Sequence, residues 1–314
     1  METPATYHRL VQLSVPLFHQ PFWLDAVAPG AWHAIEIMED GKLIASAPYV
    51  MKKSLLGTEL IMPKLTQFLG PNLLLPQVDY KERLAKEMQL LEQIILQLPA
   101  HDFFLQRWHY HYQNWLPFYW KGYHQTTRYT YVLPDISQPE TLRKHFSDKV
   151  KREIHKAEKQ FTVERSSAVQ PFYAMLAANF KSKAMDIPFD AALLQRIYAA
   201  CRKHQSGDIW LSRDAHGTVA GGIMVAWDQQ SAYYIIGGKN NDFGNAGVMS
   251  HLFWQCFNDL KSTVKQFDFE GSMIRGVENY FRSFGALQQG FFELSKISSV
   301  LQSAKSGLRK QFRR

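Results

Sequence analysis

The chain has 314 residues, 46% of them hydrophobic and 20% charged, a balance that can bury a substantial core and excludes an intrinsically disordered protein. A formal net charge of +8 and a pI of about 9.3 favour an anionic partner such as a nucleotide, a coenzyme phosphate, RNA or an anionic lipid surface, the plain alternative being a generic basic surface. Two cysteines in helical patterns, Cys201 and Cys256, make neither a metal motif nor a disulfide framework; with no secretory pattern and no apolar run near the ~20 residues of a membrane span, a cytoplasmic protein without a transmembrane segment is expected.

Phe22 to Val27 suggests a short helix closed by Pro29 and Gly30. Ala31–Met38 and Leu43–Met51 read as a strand pair joined by a turn at Glu39–Lys42. Short apolar runs at Leu60–Met62 and Leu73–Leu75 follow. Asp79 is placed to cap a helix in which Leu84, Met88, Leu91, Ile95 and Leu98 recur at helical spacing, and Pro99 ends it. Phe103–Gln106 reads as a strand; His109 and His111 share a face if the strand continues, and are expected at the surface. An aromatic cluster at Trp115–Tyr123 leads into a β-prone run, Arg128–Leu133.

The segment 134–139, rich in Pro and turn formers, is the best domain boundary. Ser137 and Glu140 have capping-box spacing, and they open a basic helix reaching about Gln160. Leu142, Phe146, Val150, Ile154 and Ala157 form its apolar stripe, with Lys149, Arg152, Lys156 and Lys159 beside it at spacings of three and four. Lys149, Arg152 and Lys156 are candidates to line a cleft and bind an anionic acceptor or carrier phosphate; a solvated charged face is the plain alternative. Helical patterns follow at Pro171–Lys181 and Asp190–Lys203.

Strands are expected at Asp208–Arg213, Thr218–Trp227 and Ser231–Ile236, with a helix over Ala246–Leu260. Between the last strand and this helix, Gly237, Gly238, Gly244 and Gly247 give a loop whose backbone N–H groups can converge on a phosphate, helped by the helix dipole. Asn241, Gly244, Asn245, Ala246 and Gly247 are its candidate donor-binding residues. Phe267–Phe269 reads as a strand ending in two carboxylates, Asp268 and Glu270, which alternation puts on one face. Gly271 and Gly276 bracket a polar loop, and a short helix then carries Tyr280, Phe281 and Phe284, with Gly285 as its stop. A β run at Gly290–Leu294 and a basic tail from Lys305, expected as a frayed helix, complete the chain. The two halves echo each other: each opens with a strand pair around an acidic-glycine turn, continues through a helix and a strand, and closes on an aromatic segment and a β run. Only the second half has the glycine loop.

The Trp120–Tyr123 and Arg128–Leu133 runs, the basic helix around Lys149–Lys159, the loop at Gly244 and the segment Phe267–Gly285, in this order, resemble FemAB-like members of the GNAT acyltransferases, the branch that adds amino acids to peptidoglycan precursors. Asn241, Gly244 and Ala246 match the GNAT pyrophosphate loop except at its first position, where Asn replaces Gln or Arg. The long helical hairpin of the staphylococcal-type members, thought to meet tRNA, is missing. The resemblance implies an α/β fold of two tandem GNAT-like units, with mixed central sheets flanked by helices. Residues 1–134 would form a unit without the phosphate loop, 135–300 a unit holding the donor, and 301–314 a basic tail. It implies an N-acyltransferase that moves an acyl or aminoacyl group from acyl-CoA or aminoacyl-tRNA, used as co-substrate and not permanently bound, to an amine, with a cell-wall or polysaccharide precursor among the acceptors. tRNA and a peripheral membrane contact through the basic surface are partners in view; DNA is not. Asp268 or Glu270 would accept the amine's proton, and Tyr280, where GNAT enzymes often place a tyrosine, would donate one to the leaving group. Gly222–Val225 would offer strand backbone groups to a pantetheine-like arm. The alternatives are a non-catalytic GNAT-like module that binds a nucleotide or carrier, and an RNA-binding protein.

Overall fold

In the computed structural model, which describes residues 15–54 and 57–297, these residues divide into two units, those up to 128 together with those from 290, and residues 129–289. In the first unit α1 (Pro21–Val27) starts with Pro at its first position, where a missing N–H costs nothing, and its buried Trp23 donates to Thr66 Oγ1 at 3.0 Å. β1 (Trp32–Glu39) and β2 (Lys42–Ser54) pair antiparallel about Asp40 and Gly41, both at positive φ (49° and 73°), the geometry of a tight hairpin turn. β3 (Gly57–Ile61) pairs antiparallel with β2, and β4 (Asn72–Leu73) adds a short ladder to the same strand. α2 (Tyr80–Gln97) is capped by Asp79, which accepts from the Glu82 amide at 3.0 Å, and buries Leu90, Leu91 and Ile94.

β5 (Phe103–Arg107) lies parallel to β3. It stops before the histidines, so His109 is not on a strand, and it is buried rather than at the surface, 4.9 Å edge-on to Phe68. Desolvation there, reinforced by His111 and His19, pushes its pKa well down. The aromatic cluster becomes the short helix α3 (Leu116–Trp120), and β6 (His124–Leu133) leads into the second unit.

The single basic helix expected from Ser137 to about Gln160 is two helices, α4 (Pro139–Lys144) and α5 (Asp148–Glu158). Ser137 is not a cap: its N–H and hydroxyl both donate to Asp135. The break comes at Ser147, whose hydroxyl accepts from the Val150 amide at 3.3 Å and caps α5, while its own N–H donates to Ser283 O at 2.8 Å. The expected stripe is still buried, Leu142 on α4, Phe146 in the break and Val150, Ile154 and Ala157 on α5. β7 (Thr162–Ser166) had no counterpart in the sequence reading, because Thr162–Ser166 is mostly polar and forms an edge strand against the next one. α6 (Val169–Lys181), α7 (Ala191–Lys203), β8 (Gly207–Arg213), β9 (Val219–Trp227), β10 (Ser231–Lys239), α8 (Val248–Leu260), β11 (Gln266–Asp268) and α9 (Arg275–Arg282) complete this unit. Its strands are ordered β6-β11-β10-β9-β8-β7, antiparallel except for β10 with β11. The core includes α5, α8 and an aromatic cluster of Phe253, Phe257, Phe267, Phe269, Phe281 and Phe284.

β12 (Leu287–Ile297) pairs antiparallel with β5 over Glu293–Ile297, so the chain from Gly290 is counted with the first unit. Burial raises the Glu293 pKa, but Arg107 and Arg128, each 2.8 Å away, outweigh it and hold the carboxyl below its ordinary value. The expected C-terminal helix lies outside the described residues. Among the described residues no helix is long and apolar enough to cross a membrane.

Candidate functional site

The site is built where two parallel strands part. β10 and β11 pair only at Ser231–Tyr233 with Gln266–Asp268. β10 then runs on to Lys239, while the chain after β11 turns toward β6, the Phe269 amide donating to Tyr131 O at 3.0 Å. The backbone edge of β10 past Tyr233 therefore leaves the β11 ladder. The expectation that Gly222–Val225 presents backbone groups does not hold, because that stretch of β9 is paired with β8 on one side and β10 on the other.

Between β10 and α8 lies the glycine loop. Asn240 accepts from the Asp242 amide at 3.0 Å and starts a 3-10 turn, Asn241–Phe243. Asn241 Nδ2 donates to Ser182 Oγ at 2.5 Å, and Phe243 packs 5.4 Å edge-on to Phe161. Gly244 (φ 53°, ψ −129°) reverses the chain with nothing within 4 Å of where a Cβ would stand. Ala246 is buried. Gly247, at φ 81°, caps α8; a Cβ there would lie 2.2 Å from Glu153 O, so only glycine lets the start of α8 close on α5. Two ammonium groups attend the loop: Lys239 Nζ donates to Gly244 O, and Lys156 Nζ donates to Asn245 O at 3.4 Å. Loop, helix N-terminus and lysines together bring positive charge and dipole to one place.

The carboxylates are not arranged as alternation suggested. β11 ends at Asp268, and Glu270 takes a positive φ of 58°, so the two do not share a strand face. Asp268 is completely buried. Its Oδ1 accepts from Thr130 Oγ1 and, at 2.7 Å, from the Glu270 amide, whereas Oδ2 has no hydrogen-bond partner. Desolvation raises its pKa to about 7 against the lowering effect of both hydrogen bonds; burial, not the neighbouring carboxylate, is the cause. Glu270 is half-buried, and its charge adds to the desolvation that raises the Tyr234 pKa. Gly271 (φ 62°) passes within 2.1 Å, measured to an added Cβ, of Tyr129 O, a close approach that requires glycine. Gly276, expected in the loop, lies in the first turn of α9 in open surroundings.

Tyr280 on α9 faces inward. Its hydroxyl is 3.0 Å from Ser250 Oγ on α8, and Ser250 donates to Glu153 Oε2 on α5 at 2.6 Å. Lys149 Nζ lies 3.9 Å from the other oxygen of Glu153. Desolvation, with the charges of Glu153 and Tyr234, raises the Tyr280 pKa, and the Ser250 hydrogen bond lowers it in part. The structure thus gathers Tyr280, the loop, Lys149 and Lys156 around the start of α8. Arg152 stays exposed on α5. Sequence reasoning missed Glu153, Ser250 and Tyr234: Glu153 sits in a basic helix beside Lys149 and Arg152, and nothing in a lone serine marks it as a bridge.

Residues 144–282 match the family described as Acetyltransferase (GNAT) domain. The whole fold is similar to FemX, with TM-score 0.69 and 13% identity over 93% of this chain and 97% of that one. It is also similar to the C-terminal domain of a putative lysylphosphatidylglycerol synthetase from Agrobacterium fabrum (TM-score 0.54, 11% identity, 89% of this chain and 87% of that one). A tandem GNAT protein from the clavulanic acid biosynthesis pathway matches at TM-score 0.50 and 8% identity over 94% and 93%. No curated protein matches the sequence. The expected α/β fold with mixed sheets and GNAT-like architecture is borne out.

Proposed function

Residues 144–282 match the Acetyltransferase (GNAT) domain family, and from that premise we propose that the chain moves an acyl or aminoacyl group from a phosphate-bearing donor to an amine acceptor. The observation that carries this reading is the parting of β10 from β11 beside the glycine loop at the start of α8. The donor's phosphates sit on the loop Asn241–Gly247, bound by backbone N–H groups and by Lys156 and Lys239. Its arm runs along the β10 edge beyond Tyr233, and the scissile carbonyl comes to the open end of the split. Glu270 receives the acceptor's ammonium there. Asp268, held behind it by Thr130 and the Glu270 amide, fixes the turn and can accept the amine's proton through a bound water. Lys149 and Arg152 extend the positive surface toward an anionic acceptor or carrier.

The resemblance of the sequence motifs to FemAB-like enzymes favours an aminoacyl donor and a cell-wall precursor, and the fold likeness to a putative lysylphosphatidylglycerol synthetase domain adds a lipid-linked acceptor. The Asn at position 241 departs from the usual coenzyme A loop and points the same way. The second reading is a GNAT-like module that binds a nucleotide or carrier without turnover. A thermal-shift screen with acetyl-CoA, longer acyl-CoAs, UDP-sugars and aminoacyl-tRNA, followed by turnover with each binder and an amine panel, tests both. Stabilisation by a donor with product formation supports acyl transfer. Stabilisation without product across the panel supports the binding module. No stabilisation by any phosphate-bearing probe overturns both.

A further inference from the structure

Three elements of the second unit meet in a chain of hydrogen bonds, and its direction is fixed by chemistry. Glu153 Oε2, on α5, accepts from Ser250 Oγ on α8 at 2.6 Å. A serine hydroxyl has one proton, and an ionised carboxylate can only accept. The Ser250 proton is therefore committed to Glu153, and across the 3.0 Å contact Tyr280 must donate to Ser250. Its hydroxyl proton points toward Ser250, which leaves the oxygen's lone pairs to accept. That is the reverse of the polarity needed by a tyrosine that hands a proton to a leaving group.

We propose that Tyr280, Ser250 and Glu153 form an inward proton relay that takes the second proton, the one the nitrogen sheds as it is acylated, after Asp268 has taken the first from the arriving ammonium. The proposal rests on the acyl-transfer reading and assigns the residues that clear the proton. The amine nitrogen attacks the acyl carbon, the C–N bond forms, and the bond to the donor's sulfur or oxygen breaks. The N–H proton passes to Tyr280 Oη, the Tyr280 proton to Ser250 Oγ, and the Ser250 proton to Glu153 Oε2. Both hydroxyls end with a proton, and the carboxylate becomes a neutral acid. The charges add up: one negative charge leaves Glu153 and one appears on the departing thiolate or alkoxide, which recovers the proton when the relay runs backward or through solvent.

Three further observations support the assignment. Gly247, where α8 starts, is the residue that lets α8 approach the Glu153 backbone, so the loop proposed to bind the donor and the relay are built at one junction. Tyr280 packs among Phe253, Phe281 and Phe284 in tilted and edge-on contacts, which fix its ring. Its pKa is raised by burial and by the Glu153 charge, so tyrosinate is disfavoured and Tyr280 can accept a proton only as its own is handed on. Tyr280 is the group that would touch substrate; Ser250 and Glu153 act through it as positioning residues.

The test reads the chain without needing turnover. 3-Fluorotyrosine is placed at position 280, and its fluorine resonance is followed in the otherwise unchanged protein and in Glu153→Gln, Ser250→Ala and the double variant. Glu153→Gln removes the charge at the end of the chain, and where its NH2 faces Ser250 the hydrogen bonds also reverse; either change should move the resonance. In the Ser250→Ala background the same change should have no further effect, whereas Ser250→Thr should preserve the coupling. An unmoved resonance in Glu153→Gln, or coupling that survives Ser250→Ala, overturns the relay. With a donor found by the thermal-shift screen, Glu153→Gln and Ser250→Ala should lower kcat by at least tenfold with donor KM unchanged, and Ser250→Thr should restore it. A rise in KM alone overturns the relay and leaves acyl transfer standing. Failure to bind any donor removes the acyl-transfer reading, and with it this role for the chain, even where the fluorine coupling is seen.

Discussion

Replacing Asp268 with Asn should make the protein less sensitive to alkaline pH, by an amount the structure sets. Asp268 is completely buried, and desolvation, partly offset by Thr130 and the Glu270 amide, raises its pKa from 3.8 to about 7. Between those values the folded state holds a proton that the unfolded chain has released. Stability is therefore full below about pH 4, falls as pH rises, and levels off once the folded carboxyl ionises. At about 1.4 kcal/mol per pKa unit the whole window costs about 4 kcal/mol, of which about 3 kcal/mol falls between pH 5 and pH 8. In Asp268→Asn the amide oxygen can still accept both hydrogen bonds, and the nitrogen occupies the place of the unpartnered Oδ2 and stays neutral. Urea unfolding of wild type and variant at pH 5 and at pH 8 isolates this group, because other titrating residues cancel in the difference. The variant should gain about 3 kcal/mol relative to wild type between the two conditions. Equal differences at both would refute the reasoning and place the ionised carboxylate in contact with water.

Gly244→Val puts a branched side chain at φ 53°, ψ −129° with no atom within 4 Å, so donor binding should be lost while circular dichroism of the rest of the fold is retained; unchanged affinity in calorimetry would remove the loop from the donor site. Neutralising Lys149, Arg152 and Lys156 together should weaken binding of an anionic substrate and flatten its salt dependence, and an unchanged slope would make the band a solvated face. Glu270→Gln and Asp268→Asn, made singly, should leave donor binding intact, and one of them should lower turnover by ~10²–10⁴-fold; full activity in both would leave positioning as the account. Ser147→Ala removes the cap at the break between α4 and α5 and should cost about 1 kcal/mol in chemical denaturation, whereas no loss would mean that the Ser147 amide bond to Ser283 alone holds the break.

Local signals located the glycine loop, the aromatic helix and nearly every strand, because each depends on neighbours in sequence: glycine between strand and helix, a cap three residues before its partner, alternation along a run. Failures came where distant residues decided. The split between α4 and α5 depends on Ser283, which binds the Ser147 amide from far along the chain. His109 looked solvated because Phe68, which packs on it, is distant in sequence. Alternation failed at Glu270 because Gly271 must pass the Tyr129 carbonyl, which bends the backbone to positive φ just where the strand rule was being applied. Glu153 and Ser250 carry no motif, and their link appears only when α5 and α8 meet over Gly247.

The return of β12 to β5 has a consequence for how the chain is made. Arg107 and its partner Glu293 are 186 positions apart. On a ribosome adding 5–20 residues per second, β5 waits roughly 10–40 s for its last neighbour to emerge. Throughout that interval one border of the nascent first unit is bare backbone, a template for any passing strand. Residues 129–289 form an uninterrupted stretch and can reach their own fold during the wait. Synthesis order thus makes the later segment the earlier to mature, and shields the incomplete one only when elongation outpaces encounters between neighbouring chains.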